Sequence, residues 1–284
     1  MWKKVLLASN GVEQDRLAIE EAVAIAKRFG SSLDIAAVVD VNEEFETTAP
    51  GLTDKLRAKM KKTIDELVAR AARDGVKATE SVSVGEAHVR FSEKARDIGA
   101  DLIVMGTRGR AGLTKIFMGS LTANVIGHVG CSVLVAKGEP KRGEYKSLLV
   151  PTDGSESSNH AIHAACRLAK ELGSKVTILN VVPVYGDQVD LATKTGLSEV
   201  FAVESKAIMT KAEQIAKEYG LSVTGIVVDE GYPADEIARV AKEGKSDLIV
   251  IGSHGSAGIT HAVMGSTAQQ VIEQAPCPIL VVRQ

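Results

Sequence analysis

The sequence predicts an α/β protein of two tandem domains, each a doubly wound, Rossmann-like parallel sheet of five strands. Three observations predict it. At 284 residues the chain is long for one core and comfortable for two. Asp101-Leu-Ile-Val-Met-Gly106 recurs as Asp247-Leu-Ile-Val-Ile-Gly252, and Met118-Gly-Ser120 as Met264-Gly-Ser266, both at an offset of 146 residues. Within each copy, short apolar runs alternate with amphipathic stretches, the pattern of strands joined by crossover helices.

The second copy shows the elements most plainly. Ser147 to Thr152 reads as a strand, and Glu156 to Leu172 as a helix with Ala161, Ala164, Ala165, Leu168 and Ala169 at helical spacing. Lys175 to Val182 is a β-branched strand, and the long stretch from Leu191 to Tyr219 is mostly helical. Ser222 to Val228 reads as strand, Ala234 to Lys242 as helix, Leu248 to Ile251 as strand, Gly265 to Gln274 as helix and Ile279 to Val282 as the last strand. The first copy repeats this order from Lys4–Ala8 to Val133–Val135, and right-handed crossovers then dictate a doubly wound sheet. Early strands match at an offset of 143 and later ones at 146, so the length difference falls after the second strand. The stretch Lys137 to Glu144 is polar, holds Pro and Gly, and lacks apolar periodicity. The expected division is 1–138 for the first domain, 139–145 for a linker and 146–284 for the second domain.

Composition narrows the function. With 45% hydrophobic and 25% charged residues and no long uninterrupted apolar stretch, no membrane span is expected. Val5 to Ala8 is too short for a signal-peptide core, so a cytoplasmic location is expected. A net charge of −2 gives no general attraction for nucleic acid. Cys131, Cys166 and Cys277 are too scattered for a disulfide framework or zinc site and are expected to be free.

In open α/β sheets, ligands bind outside the carboxyl ends of the strands where the strand order reverses. After the fourth strand of each copy stand Gly106-x2-Gly109-x9-Gly119-Ser120 and Gly252-x2-Gly255-x9-Gly265-Ser266, identical in spacing. Such glycines can take positive φ and let backbone N–H groups approach an anion closely. The Gly-Ser pair opens a helix, whose N-terminus suits phosphate oxygens. The structural alternative is a turn followed by an ordinary N-cap; two copies with one spacing favour phosphate. The first loop carries Arg108, Arg110 and Lys115 where the second has His254, Ser256 and His261, so polyphosphate is expected to favour the first.

These loops, with Pro151-Thr-Asp-Gly-Ser155 and Ala275-Pro-Cys-Pro-Ile-Leu-Val-Val282, resemble the universal stress protein family in its tandem form, over essentially the whole chain. The resemblance implies the adenine nucleotide alpha hydrolase-like fold and an adenine nucleotide ligand, ATP first, with ADP or AMP as other states and Mg2+ as companion. It places adenosine contacts on Pro151, Asp153 and Val181, with Ala8, Asn10 and Val38 in the first copy. Asn10 departs from that pattern. A carboxylate can accept from two ribose hydroxyls, whereas a neutral amide has a single acceptor oxygen, so the second copy is expected to hold the nucleoside better. The resemblance also implies pairing of the two halves through their last strands, Val133–Val135 and Ile279–Val281, and is compatible with a homodimer.

Signatures of catalysis are missing: there is no Gly-x4-Gly-Lys-Ser/Thr loop, Gly-x-Ser-x-Gly elbow or His-Glu-x-x-His. The expectation is a nucleotide-binding stress-response module without chemistry of its own. The alternatives are a slow ATP hydrolase and an interaction protein with an empty or different pocket. Cys131 and Cys277 read as packed thiols and Met118 and Met264 as loop supports, while His88, His160 and His163 have no companion ligands nearby in sequence.

Overall fold

The computed structural model describes residues 1–10, 15–107, 119–184, 191–255 and 264–283. These fall into two compact units, built principally on Met1–Gly143 and Glu144–Val282.

The first unit runs β1 (Lys4–Ala8), α1 (Arg16–Phe29), β2 (Ser32–Asp40), α2 (Glu43–Thr48), α3 (Pro50–Arg73), β3 (Ala78–Gly85), α4 (Ala87–Ile98), β4 (Leu102–Gly106), α5 (Ser120–His128) and β5 (Ser132–Ala136). Its strands lie in the order β3-β2-β1-β4-β5, and every pairing is parallel. Val5, Leu6 and Leu7 are fully buried, as a central strand covered on both faces requires. The second unit runs β6 (Ser147–Pro151), α6 (Glu156–Leu172), β7 (Lys175–Pro183), α7 (Leu191–Glu218), β8 (Thr224–Gly231), α8 (Pro233–Glu243), β9 (Leu248–Gly252), α9 (Ser266–Gln274) and β10 (Ile279–Val282). Its order, β8-β7-β6-β9-β10, is the same parallel winding. The doubly wound expectation holds in both.

The length difference lies where the changing offset puts it. Between its second and third strands the second unit is the longer, 184–223 against 41–77; among the described residues the first unit has α2 and α3 there and the second has α7. The eighth strand starts two residues later than its pattern suggested and continues to Gly231, because Gly225 pairs in register with Ile178 and the exposed edge tolerates Asp229 and Glu230. Among the described residues, no helix is long and apolar enough to cross a membrane.

The repeated Asp of the two strand motifs has a structural task. Asp101 accepts from the N–H groups of Lys3 and Lys4 at 2.7 and 2.9 Å, and Asp247 does the same for Lys146 and Ser147 at 3.0 Å. Each carboxylate ties the start of its fourth strand to the start of its first, at the end opposite the glycine loops. Residues 141–143, inside the stretch that reads as linker, are also fastened. The carboxylate of Glu21, on α1 and fully buried, accepts from the N–H groups of Lys141, Arg142 (2.7 Å) and Gly143 (3.0 Å). A buried charge persists only when such donors surround it.

Candidate functional site

In both units the chain leaves the first strand toward one side of the sheet and returns to the fourth strand on the other. The crevice is therefore at the carboxyl ends of β1 and β4, and of β6 and β9. In the second unit, β6 ends at Pro151 and the chain turns through Thr152, Asp153 and Gly154 into α6. Gly154 sits at φ 78°, which a β-carbon would strain. The turn is tightly built. Asp153 Oδ1 accepts from Ser155 N (3.1 Å) and Oγ (2.6 Å), Ser155 caps α6 by accepting from Ser158 N, and Thr152 Oγ1 accepts from Gly154 N at 3.2 Å. From β7, Asn180 donates through Nδ2 to the Thr152 carbonyl at 2.8 Å, while its buried Oδ1 has no protein partner among the described residues. Asn180 escaped the sequence reading. The available signal was a lone Asn within the β-branched strand Lys175–Pro183.

The glycine loop closes onto this turn. Gly265 N–H donates to the Ser253 carbonyl at 2.9 Å, joining the two ends of the motif. A β-carbon on Gly255 would stand 2.8 Å from Asp153 Oδ2, and one on Gly265 would stand 3.7 Å from Gly255 N. Asp153, Gly255, Gly265 and the start of α9 thus converge. Gly252 serves a different end: its β-carbon would meet Ser157 Oγ at 2.4 Å and the Ser157 carbonyl carbon and oxygen at 2.8 Å, so its role is to let α6 lie on β9.

Of the two reasons expected for these glycines, positive φ does not apply at Gly119, Gly252, Gly255 or Gly265. Gly119 and Gly265 sit at φ −62° and −63°, and Gly252 and Gly255 also lie outside the left-handed region. Close approach, rather than positive φ, makes glycine necessary at Gly252 and Gly255. Gly119 and Gly265 are helix N-caps without a side-chain cap, and the exposed Ser120 and Ser266 open α5 and α9. The first-turn N–H groups beyond each cap have no intrahelical acceptor. A helix dipole adds partial positive charge there, and neither first turn holds an acidic residue to offset it.

The first unit repeats the closure, with Gly119 N–H donating to the Thr107 carbonyl at 3.0 Å. Its nucleoside side differs. Asn10 Oδ1, the acceptor that would face a ribose, already accepts from Val38 N–H at 3.2 Å. Ser9 and Asn10 are held by Asp15 Oδ2, through Ser9 Oγ (2.9 Å) and Asn10 N (3.0 Å). A cavity of about 420 Å³ in this unit includes Val38 in its wall and is lined chiefly by β3 and α4, among them Ser81, Ser83, Arg90 and Lys94; none of Gly106, Gly119 and Ser120 lines it. Arg108, Gly109, Arg110, Lys115, Met118, Ser256 and His261 lie outside the described residues. His254 is placed: its N–H donates to Ser157 Oγ at 3.3 Å, and its Nδ1 is 2.9 Å from Ser253 Oγ. Met264 is buried.

None of the three cysteines forms a disulfide, and burial pushes the thiols of Cys131 and Cys166 up to about 11, with the Asp101 carboxylate adding to the effect at Cys131.

Comparison with known proteins agrees with this architecture. The model of the Universal stress protein family matches residues 1–137 and again 144–283. A universal stress protein of Methanocaldococcus jannaschii is 36% identical over 143 residues, covering 49% of this chain and 83% of that one. Universal stress protein YxiE of Bacillus subtilis is 32% identical over 152 residues, covering 49% of this chain and 99% of the relative. A universal stress protein from Archaeoglobus fulgidus shares the fold over 99% of this chain and 96% of its own, with a TM-score of 0.73 at 21% identity. With the family model matched twice in succession and the same doubly wound sheet in each unit, this chain belongs to the universal stress protein family.

Proposed function

We propose that the chain is a nucleotide-charged regulatory module that binds ATP, or its ADP or AMP forms, at the carboxyl ends of the strands in each unit, with no strong catalysis. The observation that carries the reading is the convergence of Asp153, Gly255 and the uncapped α9 N-terminus, bracketed by the Gly265–Ser253 bond. Backbone N–H groups of the α9 first turn, with the Ser266 hydroxyl, would hold phosphate oxygens, and the missing β-carbon of Gly255 lets the Asp153 carboxylate lie against the loop. The Asp153 carboxylate suits ribose hydroxyls or a Mg2+ ion, which favours oxygen ligands and substrate phosphates. Pro151 and Val181 flank the adenosine side. In the first unit Gly119 and Ser120 take the phosphate role, with Gly106, Arg108 and Gly109 assigned to the motif by sequence. Asn10, its oxygen engaged by Val38, is the weaker nucleoside partner, so the two sites differ in affinity. Loops that order around phosphates change the surface a partner meets, which gives a binding protein an output without turnover.

Calorimetric titration of Mg-ATP into the wild-type chain, Gly119→Ala and Gly265→Ala tests the proposal. Loss of one site in each variant is expected, and undiminished stoichiometry in both overturns it. ADP release no faster than in buffer separates binding from hydrolysis. The homodimer and the cytoplasmic location belong to the same proposal, the former read from the solution mass and the latter from cell fractionation.

A further inference from the structure

The sequence gives His88 no neighbouring ligand, but the fold brings His128 to it. His88 lies in the first turn of α4 and His128 is the last residue of α5, and the two helices pack together. Their ring centroids are 5.6 Å apart with planes inclined at 56°. We infer that His88 and His128 form a two-imidazole site for a divalent transition-metal ion, separate from the nucleotide loops and confined to the first unit.

Three features support it. The first is spacing. Two imidazole nitrogens each about 2.1 Å from one ion, with the ring centre about 1.1 Å behind each nitrogen, put the centroids about 5.3 Å apart at the tetrahedral angle. The observed separation needs only a slightly wider angle. The second is the tautomer. His128 Nδ1 is 2.6 Å from the Asn124 carbonyl oxygen, which can only accept, so Nδ1 carries the proton and the neutral ring presents Nε2 as its bare donor. A carbonyl holding the far nitrogen is the usual outer support of a metal-binding histidine. The third is position. Asp40 Oδ1 accepts from Ala87 N–H at 3.2 Å and anchors the turn that carries His88, whose side chain is 28% exposed and reachable from solvent.

Glu86 Oε2 is 3.9 Å from His88 Nε2, close enough to favour a cation electrostatically. Among the described residues, no group of three His, Cys, Asp or Glu is placed to hold a metal, so water completes the coordination and the ion is exchangeable. Imidazole donors select the later first-row ions, with Cu2+ above Ni2+ and Zn2+. At the equivalent positions the second unit has Ala234 and Gln274, so one ion per chain is expected.

The test is titration of the full, nucleotide-free chain with CuCl2 and NiCl2, read by calorimetry and, for copper, by electron paramagnetic resonance. One saturable ion per chain with two coupled nitrogens is expected. His88→Gln and His128→Gln should each weaken binding by roughly tenfold or more, with His160→Gln binding as wild type does. Wild-type affinity in either His88→Gln or His128→Gln overturns the inference, as does an equal loss in His160→Gln. The wild-type resonance spectrum needs no variant to fold: a signal from fewer than two nitrogens also overturns it.

Discussion

Gly252→Ala and Gly265→Ala, two alanines in the same glycine motif, should fail in opposite ways. At Gly252 the new methyl would lie 2.4 Å from Ser157 Oγ and 2.8 Å from the Ser157 carbonyl carbon and oxygen. A side chain can rotate away, but the backbone of the first turn of α6 cannot, so α6 and β9 must separate. Forcing a methyl into packed structure costs about 1–3 kcal/mol. For a unit of this size that lowers the melting midpoint by about 3–10 °C. Removing only the hydroxyl, in Gly252→Ala with Ser157→Ala, should recover part of the loss, because the backbone contact remains. At Gly265 the nearest atom to the new methyl is the Ser253 carbonyl oxygen at 3.4 Å, and φ −63°, ψ 144° suits any residue. Exchanging one helix N-cap without a side-chain acceptor for another costs at most about 1 kcal/mol. The methyl does, however, stand where phosphate would approach, and ATP affinity in the second unit should fall by about tenfold or more, about 1.4 kcal/mol. Scanning calorimetry and ATP titration on the same preparations read both effects. A Gly252→Ala variant that melts like wild type, or a Gly265→Ala variant that loses as much stability, refutes this assignment of roles.

Other consequences are as specific. Asp153→Asn keeps the Oδ1 acceptor that holds Ser155 yet removes the charge, so it should weaken nucleotide in the second unit by about tenfold while leaving the melt unchanged; equal affinity by titration would exclude a nucleoside role for this carboxylate. Glu21→Ala strips the acceptor from three backbone N–H groups at 141–143 and should cost about 2–4 kcal/mol. Hydrogen exchange should quicken at those amides first, and unchanged protection there would count against the fastening. Cys131 and Cys166, with thiols raised to about 11 by burial, should resist alkylation at pH 8 in the native chain and react once it is unfolded. An unfolded thiol sheds its proton at lower pH than these buried ones, so their contribution is present below the unfolded value of about 8.5 and is lost as pH rises toward 11. Denaturant midpoints that hold steady across that range would contradict the sign.

The repeat, the parallel winding and the crevice at the strand ends were all legible in the amino-acid order. Each depends on neighbours in the chain: apolar runs alternating with helical spacing, Gly-Ser at a helix start, and Asp-Gly-Ser at the turn after β6. The length difference between the second and third strands was also legible, as a shift in offset, though the division of that segment into α2 and α3 in the first unit was not. Contacts between residues far apart in the chain emerge only from the folded molecule. Gly252 is required by Ser157, Glu21 secures residues 141–143, Val38 takes the one acceptor oxygen of Asn10, and His128 becomes the companion of His88. Local pattern specifies which element forms, because backbone preference and burial act over a few residues. Which side chains then meet is settled by how the finished elements pack, so the two glycine loops share a spacing while the two sites around them do not share a chemistry.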